Sequence, residues 1–218
     1  MLEEFFNPSS VAVIGASRNP AKVGHQILKN LIDSGYPGQL YPVNLEAKKI
    51  LSLDCYPSVT EIPGKVDLTI IAVPAEFVLE VAEECGEKQV KGMIVISAGF
   101  KETGREGTEL ERRLVAVCKK HGIGLLGPNC LGVIDTFSPM NASFSSKMPL
   151  RGNIAFLSQS GAICTAVLDW SLSEGIGFSR FVSLGNKADL DETDLMLSLV
   201  GHDDTRVILI YLEGVNDG

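Results

Sequence analysis

Short apolar runs alternate with segments of helical period along most of the chain. Residues 11–15 form an uninterrupted apolar run ending at Gly15. In the segment that follows, Val23, Ile27, Leu28, Leu31 and Ile32 fall on one helical face, which Gly35 ends. The same pattern predicts strands at 40–43, 67–73, 92–97 and 123–126, with helices over 75–87 and 108–121. Strands that are apolar on both faces and separated by helices make a parallel sheet covered on each side, with right-handed crossovers. Residues 1–137 are therefore expected to be an α/β, Rossmann-like unit. Pro42, lacking an N–H, marks a pairing limit in its strand.

Residues 138–152 are rich in Ser and Pro and keep no period, and read as a connection. The alternation then restarts, with strands at 153–157, 178–182 and 206–211 and helices over 161–174 and 191–200. Residues 153–218 are thus the start of a second α/β unit. No helix follows its last strand, so the chain is expected to be the front part of a longer protein.

Composition narrows the classes. With 218 residues, 45% hydrophobic and 21% charged, the chain is neither disordered, collagen-like nor a disulfide-stapled mini-protein. A chain of this length buries roughly 70% of its unfolded surface without a staple. The net charge of −8 argues against a general grip on nucleic acid, yet leaves room for a few cations around one phosphorylated ligand. No apolar run reaches 18 residues, and the acidic start is unlike a secretory signal, so neither a membrane span nor export is predicted. Five cysteines without a C-x-x-C pair read as reduced thiols of a cytoplasmic protein, with no metal site.

In open α/β sheets, ligands bind beyond the carboxyl ends of the strands. The first such loop holds Gly15, Ser17, Arg18 and Lys22 before a helix N-terminus, whose free N–H groups and partial positive charge suit a phosphate or diphosphate. Its spacing is not G-x-G-x-x-G. The second strand ends at Asn44, followed by Lys48 and Lys49 rather than the carboxylate a nicotinamide dinucleotide requires. Those lysines favour a ribose bearing a phosphate, as in coenzyme A or NADP, and the first-loop spacing disfavours NADP. Val73, Pro74 and Phe77 offer an apolar wall to a slender chain such as pantetheine, although a proline at a helix start is equally natural there. Ser97, Ala98 and Gly99 lie in a flexible loop, and the rigid 127–132 turn directs Asn129 and Cys130 toward the same cleft. In the second unit Ser160 and Gly161 open a helix directly after a strand, an anion site whose plainer reading is a serine cap. The three histidines have no metal-ligand company.

Several strings carry a resemblance when taken in order. They are Ser-Val-Ala-Val-Ile-Gly-Ala-Ser (10–17), Tyr-Pro-Val-Asn (41–44), Ala-Val-Pro (72–74) and Ile-Ser-Ala-Gly-Phe (96–100). Gly-Pro-Asn-Cys-Leu-Gly (127–132), Leu-Ser-Gln-Ser-Gly (157–161), Ser-Leu-Gly-Asn-Lys-Ala-Asp (183–189) and Tyr-Leu-Glu-Gly (211–214) complete the set. Together they resemble the α part of the NDP-forming acyl-CoA synthetases, particularly the ADP-forming acetate–CoA ligases, relatives of succinyl-CoA synthetase. The resemblance implies a CoA-binding Rossmann-like domain followed by the start of a flavodoxin-like ligase domain. It also implies interconversion of acyl-CoA, ADP and phosphate with acid, ATP and CoA, through an acyl phosphate and a phosphohistidine.

By the same resemblance, the Ser160–Gly161 helix start cradles the phosphate on that histidine, and Glu213 orients the imidazole. The phosphohistidine is expected beyond Gly218. ADP/ATP and Mg are expected only with an ATP-grasp β subunit or domain, in an oligomer. The chain departs from the family at Leu45 and Glu46, where Pro-Lys is common, so Lys48 or Lys49 takes over the phosphate contact. Two other readings stand beside this one: a stand-alone CoA-binding regulatory module, and an NADP-dependent oxidoreductase.

Overall fold

The computed structural model describes residues 2–145 and 147–215. Ser146, inside the stretch read as a connection, and residues 216–218, at the end of the second unit, lie outside the described residues. A helical turn, α1 (Glu3–Phe6), leads into β1 (Ser10–Ile14), α2 (Val23–Asp33) and β2 (Gln39–Val43). A short hairpin, β3 (Lys49–Ile50) and β4 (Leu53–Asp54), precedes β5 (Leu68–Ile71), α3 (Ala75–Glu87), β6 (Gly92–Val95), α4 (Arg105–His121) and β7 (Gly124–Leu126). The first sheet runs in the order β2-β1-β5-β6-β7, parallel throughout. Pro42 lies in an edge strand, where its missing N–H costs no ladder bond.

Every residue of β1, β5 and β6 is buried, because both faces of this sheet are covered. Side chains of a strand alternate between the faces. Val11, Val13 and Ile70 therefore join Ile27 and Leu31 of α2 on one side. Ala12, Ile14, Ile71 and Val95 join Val78 of α3 and Leu114 of α4 on the other. Gly122, at φ +66°, ends α4 directly after Lys119, Lys120 and His121, whose side chains complement the negative end of the helix.

The second half comprises β8 (Gly132–Asp135), β9 (Met140–Ser143), β10 (Leu150–Ser158), α5 (Gly161–Glu174), β11 (Gly177–Ser183), α6 (Glu192–Ser198) and β12 (Val207–Tyr211). Its sheet order is β12-β10-β11-β8-β9; β10 is parallel to β11 and β12, while β8 and β9 run antiparallel. The stretch 138–152, read from the sequence as a connection, holds β9, and β10 begins at Leu150. β8, inside the span assigned to the first unit, also pairs with the second sheet. Hydrophobic periodicity does not reveal β9 because its buried residues include Asn141 and Ser143, whose side chains satisfy each other at 2.6 Å.

One apolar cluster joins the two sheets through α2, running from Val13 and Ile70 to Met140, Ala142 and Val182. Asn30 of α2, itself buried, donates its amide to the Ser143 carbonyl at 2.8 Å. Arg180 pairs with Asp135 at 3.0 Å and stacks on Phe6 at 3.9 Å, which fastens α1 to the second sheet. Among the described residues, no helix is long and apolar enough to cross a membrane.

Candidate functional site

The carboxyl ends of strands from both sheets open onto one cleft of about 1100 Å³. Its volume lies just above the range of roughly 300–1,000 Å³ common for small-molecule sites, and suits a long ligand. Gly15, Ser17 and Lys22 line it from the β1–α2 loop, and Asn44 from the end of β2. Gly15 sits at φ +88°, where a Cβ would come within 2.6 Å of the Ala72 carbonyl oxygen, so only glycine lets the loop turn this tightly against β5. The loop is held from three directions. Asn44 donates its amide to the Ala16 carbonyl at 2.9 Å, and the Ser17 hydroxyl accepts the Asn19 N–H at 3.1 Å. From inside α2, the buried His25 donates Nδ1–H to the Ser17 carbonyl at 2.7 Å. No side chain caps α2; the His25 N–H donates to the Lys22 carbonyl at 3.0 Å, which leaves the N–H groups of Val23 and Gly24 to an anionic ligand, with Lys22 beside them.

Val73, Pro74, Ser97, Ala98, Asn129 and Cys130 form the next wall. The Ser97 hydroxyl donates to the Val73 carbonyl, tying two of these loops together. Asn129, at φ +58°, donates its backbone N–H to the Ser97 carbonyl at 3.0 Å. Cys130 donates its thiol to the Val95 carbonyl at 3.4 Å, and burial pushes its pKa up to about 12. At neutral pH fewer than roughly one in 10⁴ such side chains is a thiolate, so Cys130 is a wall and not a nucleophile. Burial likewise pushes Cys85 and Cys118 up to about 12. Limited alkylation with iodoacetamide at pH 7.5, read by peptide mass spectrometry, is expected to label the partly exposed Cys55 first and to spare Cys130. Labelling of Cys130 ahead of Cys55 would contradict its burial.

The second sheet supplies the opposite wall through Ser160, Gly161 and Glu213. The Ser160 hydroxyl accepts the Ile163 N–H at 3.3 Å, so it is the N-cap of α5, and this cap stands in the cleft. A Cβ at Gly161 would meet nothing within 4 Å, so the α5 start is open to a ligand. Glu213 is exposed and belongs to the loop after β12, where Gln159 Oε1 accepts its N–H at 2.9 Å and that of Gly214 at 3.2 Å.

Five predicted site residues stand outside the lining of this cleft. Arg18 commits Nε to the Lys49 carbonyl at 3.0 Å, on the β3–β4 hairpin. Lys49 pairs with Asp54 at 3.4 Å, and Lys48 lies exposed beside it. Phe77 is half exposed on the outer side of α3. Gly99 turns its N–H onto Glu102 Oε1 at 2.6 Å.

Conversely, Lys101, Glu102, Gln159 and Asn186 line the cleft without having been singled out from the sequence. Lys101, Glu102 and Asn186 form a bridge between the sheets, while Gln159 holds the loop after β12 within the second sheet. Glu102 accepts the Asn186 amide at 2.7 Å as well as the Gly99 and Phe100 N–H groups. Burial raises the Glu102 carboxyl, but these hydrogen bonds together hold it below the usual carboxylate range. Lys101 and Glu102 directly follow the 96–100 string and Asn186 lies in the 183–189 string; these polar residues sit at strand ends and face each other only once the sheets are assembled.

Residues 9–136 match the model of a CoA binding domain, and residues 151–218 that of a succinyl-CoA ligase like flavodoxin domain. The chain is 56% identical over its whole length to an ADP-forming acetate–CoA ligase I of Archaeoglobus fulgidus, of which it covers 31%. It is 49% identical, again over its whole length, to the α subunit of an ADP-forming acetate–CoA ligase I of Pyrococcus furiosus, of which it covers 48%. Among solved structures, the dinucleotide-forming acetyl-coenzyme A synthetase 1 of Ca. Korarchaeum cryptofilum, in complex with phosphate and ADP, superposes with a TM-score of 0.97 at 46% identity. All of this chain and 47% of that one are covered. The chain thus spans 31% and 48% of the lengths of these two relatives. With a CoA-binding domain model matching more than half of its residues and a ligase-type flavodoxin segment following in order, the chain belongs to the NDP-forming acyl-CoA synthetase family, in the α part typical of ADP-forming acetate–CoA ligases.

Proposed function

We propose that this chain is the CoA-binding α region of an ADP-forming acyl-CoA synthetase, which interconverts acyl-CoA, ADP and phosphate with acid, ATP and CoA. The observation that carries this reading is the meeting of two helix N-termini, α2 and α5, in one long cleft lined by Glu213. One helix start would serve the phosphates of CoA and the other a phosphoryl group in transit, each stabilised by open N–H groups and the partial positive charge of the helix end. Acetate is the first candidate acid, because the relatives at 56% and 49% identity are named for it.

The cleft divides the work among the chain's own residues. The β1–α2 loop and Lys22 hold phosphate, and the wall of Val73, Pro74, Asn129 and Cys130 guides the pantetheine arm toward α5. The N–H groups of Gly161 and Ala162 stabilise a phosphoryl oxygen, and Glu213 keeps an incoming imidazole in the tautomer that accepts the phosphoryl group. ADP, ATP and Mg belong to an ATP-grasp β subunit or domain, and the α-subunit naming of the Pyrococcus relative supports such a partner. Arg18, Lys48 and Lys49 cluster at the β3–β4 hairpin, a place for the 3′-phosphate outside the main cleft. The five free thiols, four of them buried, favour a cytoplasmic setting.

Calorimetric titration with CoA is expected to show saturable one-to-one binding, with NADPH at least tenfold weaker. No heat of binding at millimolar CoA would overturn the reading, and tighter binding of NADPH would replace it with an oxidoreductase.

A further inference from the structure

Lys187 lies outside the cleft lining and is 4% exposed. Its backbone sits at φ +51°, a region that non-glycine residues seldom occupy. A lysine is almost never buried this deeply without a partner. Its ammonium lies 2.8 Å from Glu192 Oε2, which satisfies its charge. A second hydrogen bond, at 2.7 Å, goes to the carbonyl of Gly214, beside Glu213 in the loop after β12.

The stretch that carries Lys187 is rooted on the end of the first sheet. The N–H groups of Asn186, Ala188 and Leu190 donate to the carbonyls of Pro128, Gly127 and Leu125 at 2.8, 3.0 and 3.1 Å. The Asp189 carboxylate accepts the Leu125 N–H at 3.1 Å. From the other side, Gln159 accepts the N–H groups of both Glu213 and Gly214. The segment bearing the cleft carboxylate is thus gripped by its amides from the second sheet and by a carbonyl from a loop anchored to the first.

We propose that Lys187 is a positioning residue, which registers Glu213 against the CoA side of the cleft by holding the Gly214 carbonyl. This rests on the reading of Glu213 as the carboxylate that steadies the reacting imidazole. A buried ion pair serving the fold alone would need only Glu192; the bond to Gly214 ties the pair to the site.

The test uses the full-length enzyme together with its nucleotide-binding part. The double variant K187M/E192Q removes both charges, so no uncompensated buried ion remains. Its kcat is expected to fall at least tenfold while the KM for CoA stays within twofold, and amide exchange at residues 212–214 should speed up at least tenfold. K187R keeps a cation facing Glu192, but its planar head cannot place a donor where the ammonium sits, and should lose two- to tenfold in kcat. Adding E213Q to the double variant should cost less than a further twofold beyond E213Q alone, because both changes remove one interaction.

Wild-type kcat in K187M/E192Q, with E213Q inactive, overturns the positioning role and leaves the reading of Glu213 standing. Wild-type kcat in E213Q overturns that reading and the positioning role with it. If the double variant does not fold, K187R decides: unchanged kcat together with unchanged exchange at 212–214 overturns the proposal.

Discussion

Replacing Gly24 by alanine is expected to weaken CoA binding at least tenfold and to lower the melting midpoint. In a helix, a glycine-to-alanine change normally gains up to about 1 kcal/mol, and less near the helix start. Here a Cβ would lie 2.0 Å from the Gly15 carbonyl oxygen, 2.7 Å from its carbon and 3.1 Å from the Ala16 Cα. All three are backbone atoms, so no side chain can swing aside. Overpacking of this kind costs about 1–3 kcal/mol, which exceeds the propensity gain.

The displaced atoms belong to the loop proposed to bind phosphate. That loop has no slack on its other side, because Gly15 already packs against the Ala72 carbonyl. Moving α2 away instead would break the Asn30 bond to Ser143 and open the core shared with the second sheet. Calorimetry with CoA and a thermal melt of the same sample check the prediction. An alanine variant that melts higher and binds CoA unchanged would show that helix and loop do not meet this closely.

What could be read along the chain follows from what kind of information periodicity holds. β1, β5 and β6 are apolar on both faces because helices cover both, so each appears as an unbroken run. β9 is equally buried, but its polar residues pair with each other and with α2, so the run is broken although the burial is not. The cleft shows the same division. Gly15, Asn44, Ser97 and Ser160 follow directly from the position of loops at strand ends, since a parallel sheet fixes where those ends gather. Lys101, Glu102 and Asn186 act across the gap between two sheets, and their partnership depends on a docking that no local pattern encodes. Lys48 and Lys49 illustrate the converse. Their place after β2 is as expected, yet the β3–β4 hairpin carries them away from the main cleft and draws Arg18 with them.

Glu213→Gln in the full-length enzyme is expected to lower kcat by 10²- to 10⁴-fold while CoA affinity stays within twofold. An orienting carboxylate acts through its charge. It stabilises the imidazolium that forms as a phosphoryl group arrives or leaves, and it fixes which ring nitrogen carries the proton. Loss of that charge in a comparable hydrogen-bonded arrangement costs about 10⁴ in kcat. Glutamine keeps the length and one acceptor oxygen, so the substitution isolates the charge. The loop itself should not move, because Gln159 holds the backbone N–H groups of Glu213 and Gly214 and Lys187 holds the Gly214 carbonyl, independently of the Glu213 side chain. Steady-state assay of ATP formation from acetyl-CoA, ADP and phosphate, beside a CoA titration of the same variant, separates the two effects. An exposed side chain with only a surface role alters stability by roughly 0.5 kcal/mol or less, about a twofold change in any equilibrium. A loss of a hundredfold therefore cannot come from the fold, and a loss of only twofold would remove Glu213 from the chemistry.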